Sequence, residues 1–163
     1  MSKTEEKSVS VNPFLASLSL KPIIKYTEWT IHNDSIGQFS NKSVKIPREV
    51  DITKGSWYEG MDFMELHQYS TPALKVLGYI LLHLRWNKDY IELKPLDAFD
   101  ANYPDKLVIF KTPFYNGVKE LIDRGIIAKR VSRVSTYWIN PSKFFLGNRL
   151  TKFSENVVSE SES

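Results

Sequence analysis

ELIDRGIIAKRVSRVSTYWINPSKFFLGNR, from Glu120 to Arg149, is the stretch on which the fold turns. An amphipathic helical pattern closes at Gly125, two short β-branched runs follow, and Lys129, Arg130 and Arg133 stud the runs and the turn between them. A glycine just past a helix takes the left-handed conformation at little cost, so Gly125 marks a helix end. Ile126–Val131 and Val134–Ile139 predict paired strands, with Ser132-Arg133 as the turn. Asn140-Pro141 stops the second strand, since proline restricts the residue before it and offers no N–H to a ladder. Ser142 is then placed to cap a last short helix through Phe144, Phe145 and Leu146 to Gly147. A helix, a glycine and a basic hairpin in that order form the second half of a winged-helix domain, a layout that suits nucleic acid.

Working upstream, Thr112-Pro113 carries a cap-plus-proline signal and opens a helix over Thr112–Arg124. Phe114, Val118, Leu121 and Ile122 form its apolar stripe, while Tyr115, Asn116 and Lys119 point away. In a helix-turn-helix the second helix enters the major groove and flanking cations neutralise phosphates. The candidate groove-facing set is Thr112, Tyr115, Asn116 and Lys119, with Lys111 just ahead of them. Asparagine can pair bidentately with adenine, and lysine can reach guanine acceptors. Lys129, Arg130 and Arg133 are the candidate wing cations, and Arg149 and Lys152 add charge beyond the last helix.

Further upstream, Ser70-Thr71-Pro72 opens a second helix, with Ser70 or Thr71 as cap, and ALKVLGYILLHLRW continues it to Trp86. Ala73, Leu77, Ile80 and Leu84 form one apolar line, widened by Leu74, Val76 and Leu81. Tyr79, Leu82 and Trp86 lie on a further flank, so the helix needs cover from two sides, by the N-terminal hairpin or by a second subunit. Asp89–Lys94 alternates like a strand, and within 96–105 the segment Leu96–Ala101 has room for one or two helical turns. Near the N-terminus, Ile23–Ile31 and Gln38–Ile46 predict the arms of a β-hairpin around the turn-forming Asn33–Gly37 run. Lys54–Gly60 reads as a loop and Met61–Tyr69 as a short helix.

The totals narrow the function classes. The 163 residues contain no cysteine, which removes thiol chemistry and disulfides and fits a reducing cytoplasm. No apolar run approaches the roughly 18 residues of a membrane span, and MSKTEEKSVSVN lacks a signal-peptide pattern. Net charge is only +3, yet Lys106–Lys152 holds ten Lys/Arg against two acids, a concentrated footprint for a polyanion. Catalysis is disfavoured. There is no phosphate-gripping glycine loop, and His32, His67 and His83 lack metal-ligand spacing, so neither a metal nor a cofactor is expected. Asp97, Asp100 and Asp105 read as solvated loop acids.

Val76-Leu77-Gly78-Tyr79-Ile80-Leu81, Glu120 to Lys129 and Trp138 to Arg149 together resemble the RepL-type plasmid replication proteins of Firmicutes and their phage-borne relatives. The resemblance covers about 61–150, and WINPSKFFLGNR is its most specific part. It implies a winged-helix protein that binds an origin to start replication, without nicking activity or cofactor. By the same likeness Thr112–Asp123 is the recognition helix, Lys129–Arg133 the wing, and Asn140, Pro141, Gly147 and Arg149 belong to a structural or DNA-adjacent turn. The family's helix of the kind T-x-x-E-[IL]-A-x-x-x-G has no counterpart in 96–107, a stretch flanked by Pro95 and containing Pro104.

The expected fold is therefore α+β, a winged helix-turn-helix domain preceded by an N-terminal β-hairpin. The expected layout is a disordered tail over 1–12, a hairpin and loop over 13–60, the winged helix over 61–153, and a disordered acidic tail over 154–163. The expected partner is double-stranded DNA, with host replication proteins and a homodimer left open and no membrane. Two other roles fit the same residues: a transcriptional regulator, and a phage or plasmid structural or protein-interaction module.

Overall fold

Amides at the start of a helix need acceptors, and Ser70 supplies one. Its Oγ accepts from the Ala73 N–H at 3.3 Å, and Pro72 sits in the first turn, where no N–H is missed. The resulting helix, α1, runs Thr71–Leu82 and buries Ala73, Val76, Leu77 and Ile80. It does not continue to Trp86 as the sequence pattern suggested. The chain leaves the helix at His83 because the Asn87 N–H is drawn to the Leu146 carbonyl at 2.8 Å. Asn87 takes φ +55°, a left-handed turn that asparagine tolerates. The computed structural model describes residues 11–31, 42–53, 56–94 and 109–158. The expectations for 1–10, for the Asn33–Gly37 turn and the first residues of the second hairpin arm, for Lys54-Gly55, for 95–108 with Asp97, Asp100 and Asp105, and for 159–163 lie outside the described residues.

A strand, β3, follows at Tyr90–Glu92, shorter than the alternation over Asp89–Lys94 suggested. The second long helix, α2, spans Lys111–Asp123. Thr112 is not its cap: Phe110 holds that position without a side-chain bond, and Thr112 and Pro113 lie inside the first turn. The buried stripe is Phe114, Gly117, Val118 and Leu121, while Ile122, assigned to it from spacing, stays 37% exposed. Gly117 belongs there because α1 and α2 approach backbone to backbone. A Cβ on it would lie 2.8 Å from the carbonyl carbon and oxygen of Pro72. The helix ends as Gly125 predicted. Gly125 takes φ +71°, its N–H donates to Ile122 and that of Ile126 to Leu121, the paired bonds of a Schellman motif.

The hairpin after Gly125 forms with shorter arms, β4 at Ile127–Lys129 and β5 at Thr136–Ile139. Six residues, Arg130–Ser135, connect them rather than a two-residue turn, and Ser135 takes φ +60° within that loop. The three strands form an antiparallel sheet in the order β3-β5-β4. Ile91, Ile127, Tyr137 and Ile139 from one face of this sheet join the α1 and α2 stripes in the main core. The helix expected from Ser142 is absent. Asn140 organises that segment instead, its Oδ1 accepting from the Ser142 N–H and Oγ, and its Nδ2 donating to the Gly125 carbonyl at 2.8 Å. A one-turn helix, α3, follows at Arg149–Lys152, capped by Asn148. In place of the helix read over Met61–Tyr69 there is a 3-10 turn at Phe63–Gln68.

The described order extends outward at both ends. Asn12, placed in the N-terminal tail from its composition, is buried, with Nδ2 donating to the Ile139 carbonyl and to Asp89. A 3-10 turn at Pro13–Ser17 follows, Leu20 bridges to Val157, and the Asn156 amide donates to the Leu15 and Leu18 carbonyls. Leu18, Leu20, Tyr58, Phe145 and Phe153 close a second apolar cluster. Residues 12–20 and 145–158 therefore hold each other, and neither boundary drawn at 12/13 or 153/154 is observed. The N-terminal hairpin forms as β1, Ile23–Ile31, and β2, Lys42–Val50. Its first arm is as expected, and its second lies four residues later than Gln38–Ile46, with Ile23 opposite Val50.

Candidate nucleic-acid interface

The buried stripe of α2 determines what its other side displays. With Phe114, Gly117, Val118 and Leu121 packed inward, Lys111, Thr112, Tyr115, Asn116 and Lys119 all lie exposed on one helical surface. Two charged residues of the same helix end are committed elsewhere. Glu120 accepts from the Ser70 N–H and Oγ at 3.1 and 3.2 Å, tying α2 to the cap of α1. Arg124 donates to the Gln68 carbonyl at 3.0 Å and lies 4.2 Å over the Tyr69 ring. Among the described residues Lys111, Thr112, Asn116 and Lys119 carry no such tether, and Tyr115 packs edge-on against the neighbouring Phe114 ring at 5.1 Å, so two lysines, a threonine, an asparagine and a tyrosine face outward together.

The cations expected on the wing divide. Lys129 and Arg133 are exposed. Arg130 is not a free wing cation: its guanidinium lies 4.5 Å over Trp138 and 5.1 Å from the Tyr90 ring, on the sheet face away from α1 and α2. Cation–π packing of this kind holds the arginine against β3 and β5. The loop between β4 and β5 also exposes two valines, Val131 at 66% and Val134 at 91%.

Beside the β4–β5 loop a cleft of about 580 Å³ opens between the end of α1 and β3, lined among others by Tyr79, Arg85, Tyr90, Glu92, Lys94 and Arg133. Lys94 bonds the Glu92 carboxylate at 2.8 Å and, with the more distant Arg85 and Arg133, holds it below the usual carboxylate range. The cleft thus adds two cations, Arg85 and Lys94, and one ion-paired acid beside Arg133 of the β4–β5 loop. The sequence reading missed Arg85 and Lys94. They lie 39 to 48 residues before Arg133, and only the pairing of β3 with β5 brings them together.

Of the two candidates beyond β5, Lys152 is exposed and Arg149 is buried. Arg149 makes a two-pronged pair with Asp51, donates to the Pro141 carbonyl at 2.8 Å, and stacks 3.4 Å over the Tyr58 ring. Each of the three guanidinium nitrogens donates a hydrogen bond within the fold, and the residue is buried, so it is not placed as an exposed phosphate ligand. Gly147 is equally structural. Its φ is +138°, and a Cβ there would meet the Asn87 side chain at 2.1 Å. The block Trp138–Arg149 is consequently a brace: Trp138 packs under Arg130, Asn140 ties two turns together, and Arg149 anchors Asp51.

No protein-family model, curated protein or solved structure matches this chain. Among the described residues no helix is long and apolar enough to cross a membrane, and no group of three or more His, Asp or Glu gathers as a metal site.

Proposed function

We propose that this chain is a winged-helix protein that binds duplex DNA through α2 and the wing, and that it acts, without catalysis of its own, in starting replication of a plasmid or phage genome. The observation that carries the DNA reading is the unit α2-β4-β5-β3. A helix whose outer surface is Lys111, Thr112, Tyr115, Asn116 and Lys119 is followed by the β4–β5 hairpin, which carries Lys129 and Arg133 and pairs with the earlier strand β3 in the order β3-β5-β4. A winged helix would have this strand order, and on that reading the helix before the hairpin reads the groove and the wing grips the backbone. The replication reading rests on the likeness of WINPSKFFLGNR to RepL-type proteins. Because those residues brace the fold, the likeness speaks for shared architecture first and for origin binding through it.

Salt dependence of duplex binding is the test. Four exposed cations, Lys111, Lys119, Lys129 and Arg133, each neutralising one phosphate, give log affinity a slope of roughly −4 against log salt. Lys129→Ala with Arg133→Ala is expected to weaken binding on all sequences and flatten that slope, whereas Asn116→Ala changes which sequences are preferred. Absence of binding to any duplex at low salt would sink the reading. Selection of bound fragments from genomic DNA addresses replication, which requires the enriched sites to lie at the origin of the replicon encoding the chain.

A further inference from the structure

An isolated two-stranded ribbon is marginal in water and needs a third strand or a packed face to persist. β1 and β2 are nine residues each and pair only with one another among the described strands. They leave Tyr26 66% and Trp29 60% exposed. The two edges differ. β2 carries Pro47, which has no N–H, with Lys45 and Arg48 on either side, the residues that blunt a free strand edge. β1 has no proline and a single lysine, so its outer N–H and C=O groups form an open template for another strand.

We propose that a second copy of this chain covers this edge, β1 pairing antiparallel with its symmetry mate about a two-fold axis at Thr27, to give a four-stranded sheet β2-β1-β1-β2 across a homodimer. Thr27 is the fifth of nine residues, so this register overlaps the strand along its whole length. Directly opposed residues share a face. Lys25 meets Trp29 of the partner subunit, Tyr26 meets Glu28 of the partner subunit, and Thr27 meets its own copy. The pairs are a cation on an indole, a phenol beside a carboxylate and two hydroxyls, each a favourable cross-strand combination. Glu28 already accepts from Ser43, and its second carboxylate oxygen serves the phenol. Other isologous registers are poorer: an axis at Glu28 sets that carboxylate against itself, and one at Tyr26 shortens the overlap and places Ile24 against Glu28. The interface is independent of DNA, so its failure is distinguishable from failure of the DNA reading.

The chain has no cysteine, so Thr27→Cys introduces one thiol, on the proposed axis. Opposed antiparallel residues lie about 4.5–5.5 Å apart at Cα, within disulfide reach. Mild oxidation of full-length Thr27→Cys is expected to yield a covalent dimer, while Ser43→Cys on the far strand stays uncross-linked. By sedimentation equilibrium the unmodified chain is expected to dimerise. Trp29→Lys, which sets like charges against Lys25 at two symmetric places, is expected to weaken the dimer at least about tenfold, and addition of Lys25→Glu to restore it. A chain that sediments as a monomer throughout, equal cross-linking of Thr27→Cys and Ser43→Cys, or a Trp29→Lys variant that keeps its dimer and loses only DNA affinity would each overturn the proposal.

Discussion

Arg149 illustrates how a residue's chemistry depends on what lies across from it. Its guanidinium is 6% exposed and is shared among Asp51, the Pro141 carbonyl and the Tyr58 ring. Removing one member of such a pair leaves a buried charge uncompensated, so Arg149→Ala or Asp51→Ala is expected to cost about 3–5 kcal/mol. Arg149→Lys recovers little, because one ammonium cannot bond both carboxylate oxygens and the carbonyl in fork geometry. Denaturant midpoints measured at unchanged m-value check both, and a shift below 1 kcal/mol would contradict the assignment. In the sequence Arg149 sits in a basic segment beside Lys152 and is indistinguishable from a phosphate ligand. Its partner is 98 positions away. Arg130 misled for the same reason, since the aromatic rings beneath it belong to two different strands.

At the scale of elements, two helical glycines with the same intrinsic propensity are expected to respond in opposite directions. Gly78 lies within α1 with open space around its Cβ position, so Gly78→Ala is expected to stabilise by about 0.5–1 kcal/mol through reduced backbone entropy. Gly117→Ala gains the same propensity but drives a methyl group into the Pro72 backbone, for a net loss of about 1–3 kcal/mol. Thermal melts of the two variants side by side decide this, and a stabilised Gly117→Ala would mean that α1 and α2 are not in backbone contact. Both helices were legible from their apolar period, the end of α2 from Gly125, and the start of α1 from Ser70. The register of β2 was not. The expected and observed arms differ by four residues, an even number, so both keep the same side chains on the same face, and two-residue alternation cannot separate them. The end of α1 was equally hidden, because an amide-carbonyl bond from Asn87 to Leu146 sets it. For the candidate site, the outer face of α2 followed directly from its buried stripe, whereas the sorting of the hairpin cations into exposed and stacked did not.

For the molecule as a whole, pH reports on the two cores. Tyr58, Tyr69 and Tyr137 all have pKa values raised from 10.0, burial being the largest cause in each. Asp51 adds to the rise at Tyr58, against Arg149. A raised folded-state pKa favours the neutral phenol in the fold, so this contribution to stability is complete below about pH 10 and is lost as pH climbs through the folded values. Alkaline unfolding is therefore expected to begin above about pH 10, with these three of the eight tyrosines ionising late in a tyrosinate absorbance titration. Simultaneous ionisation of all eight with the fold intact would contradict it. Periodicity, capping residues and a glycine past a helix end act within a turn or two of chain. The sequence by itself therefore determined that α1, α2, the Gly125 stop and the basic hairpin exist, and which face of α2 is polar. Only the tertiary structure decided that Asn12 is buried, that Arg149 is a brace, and that Arg85 and Lys94 border the β4–β5 loop. Those outcomes depend on contacts such as Arg149 to Asp51 and Asn12 to Ile139, 98 and 127 positions apart. No local pattern carries that information, because at such separations the partner is selected by packing.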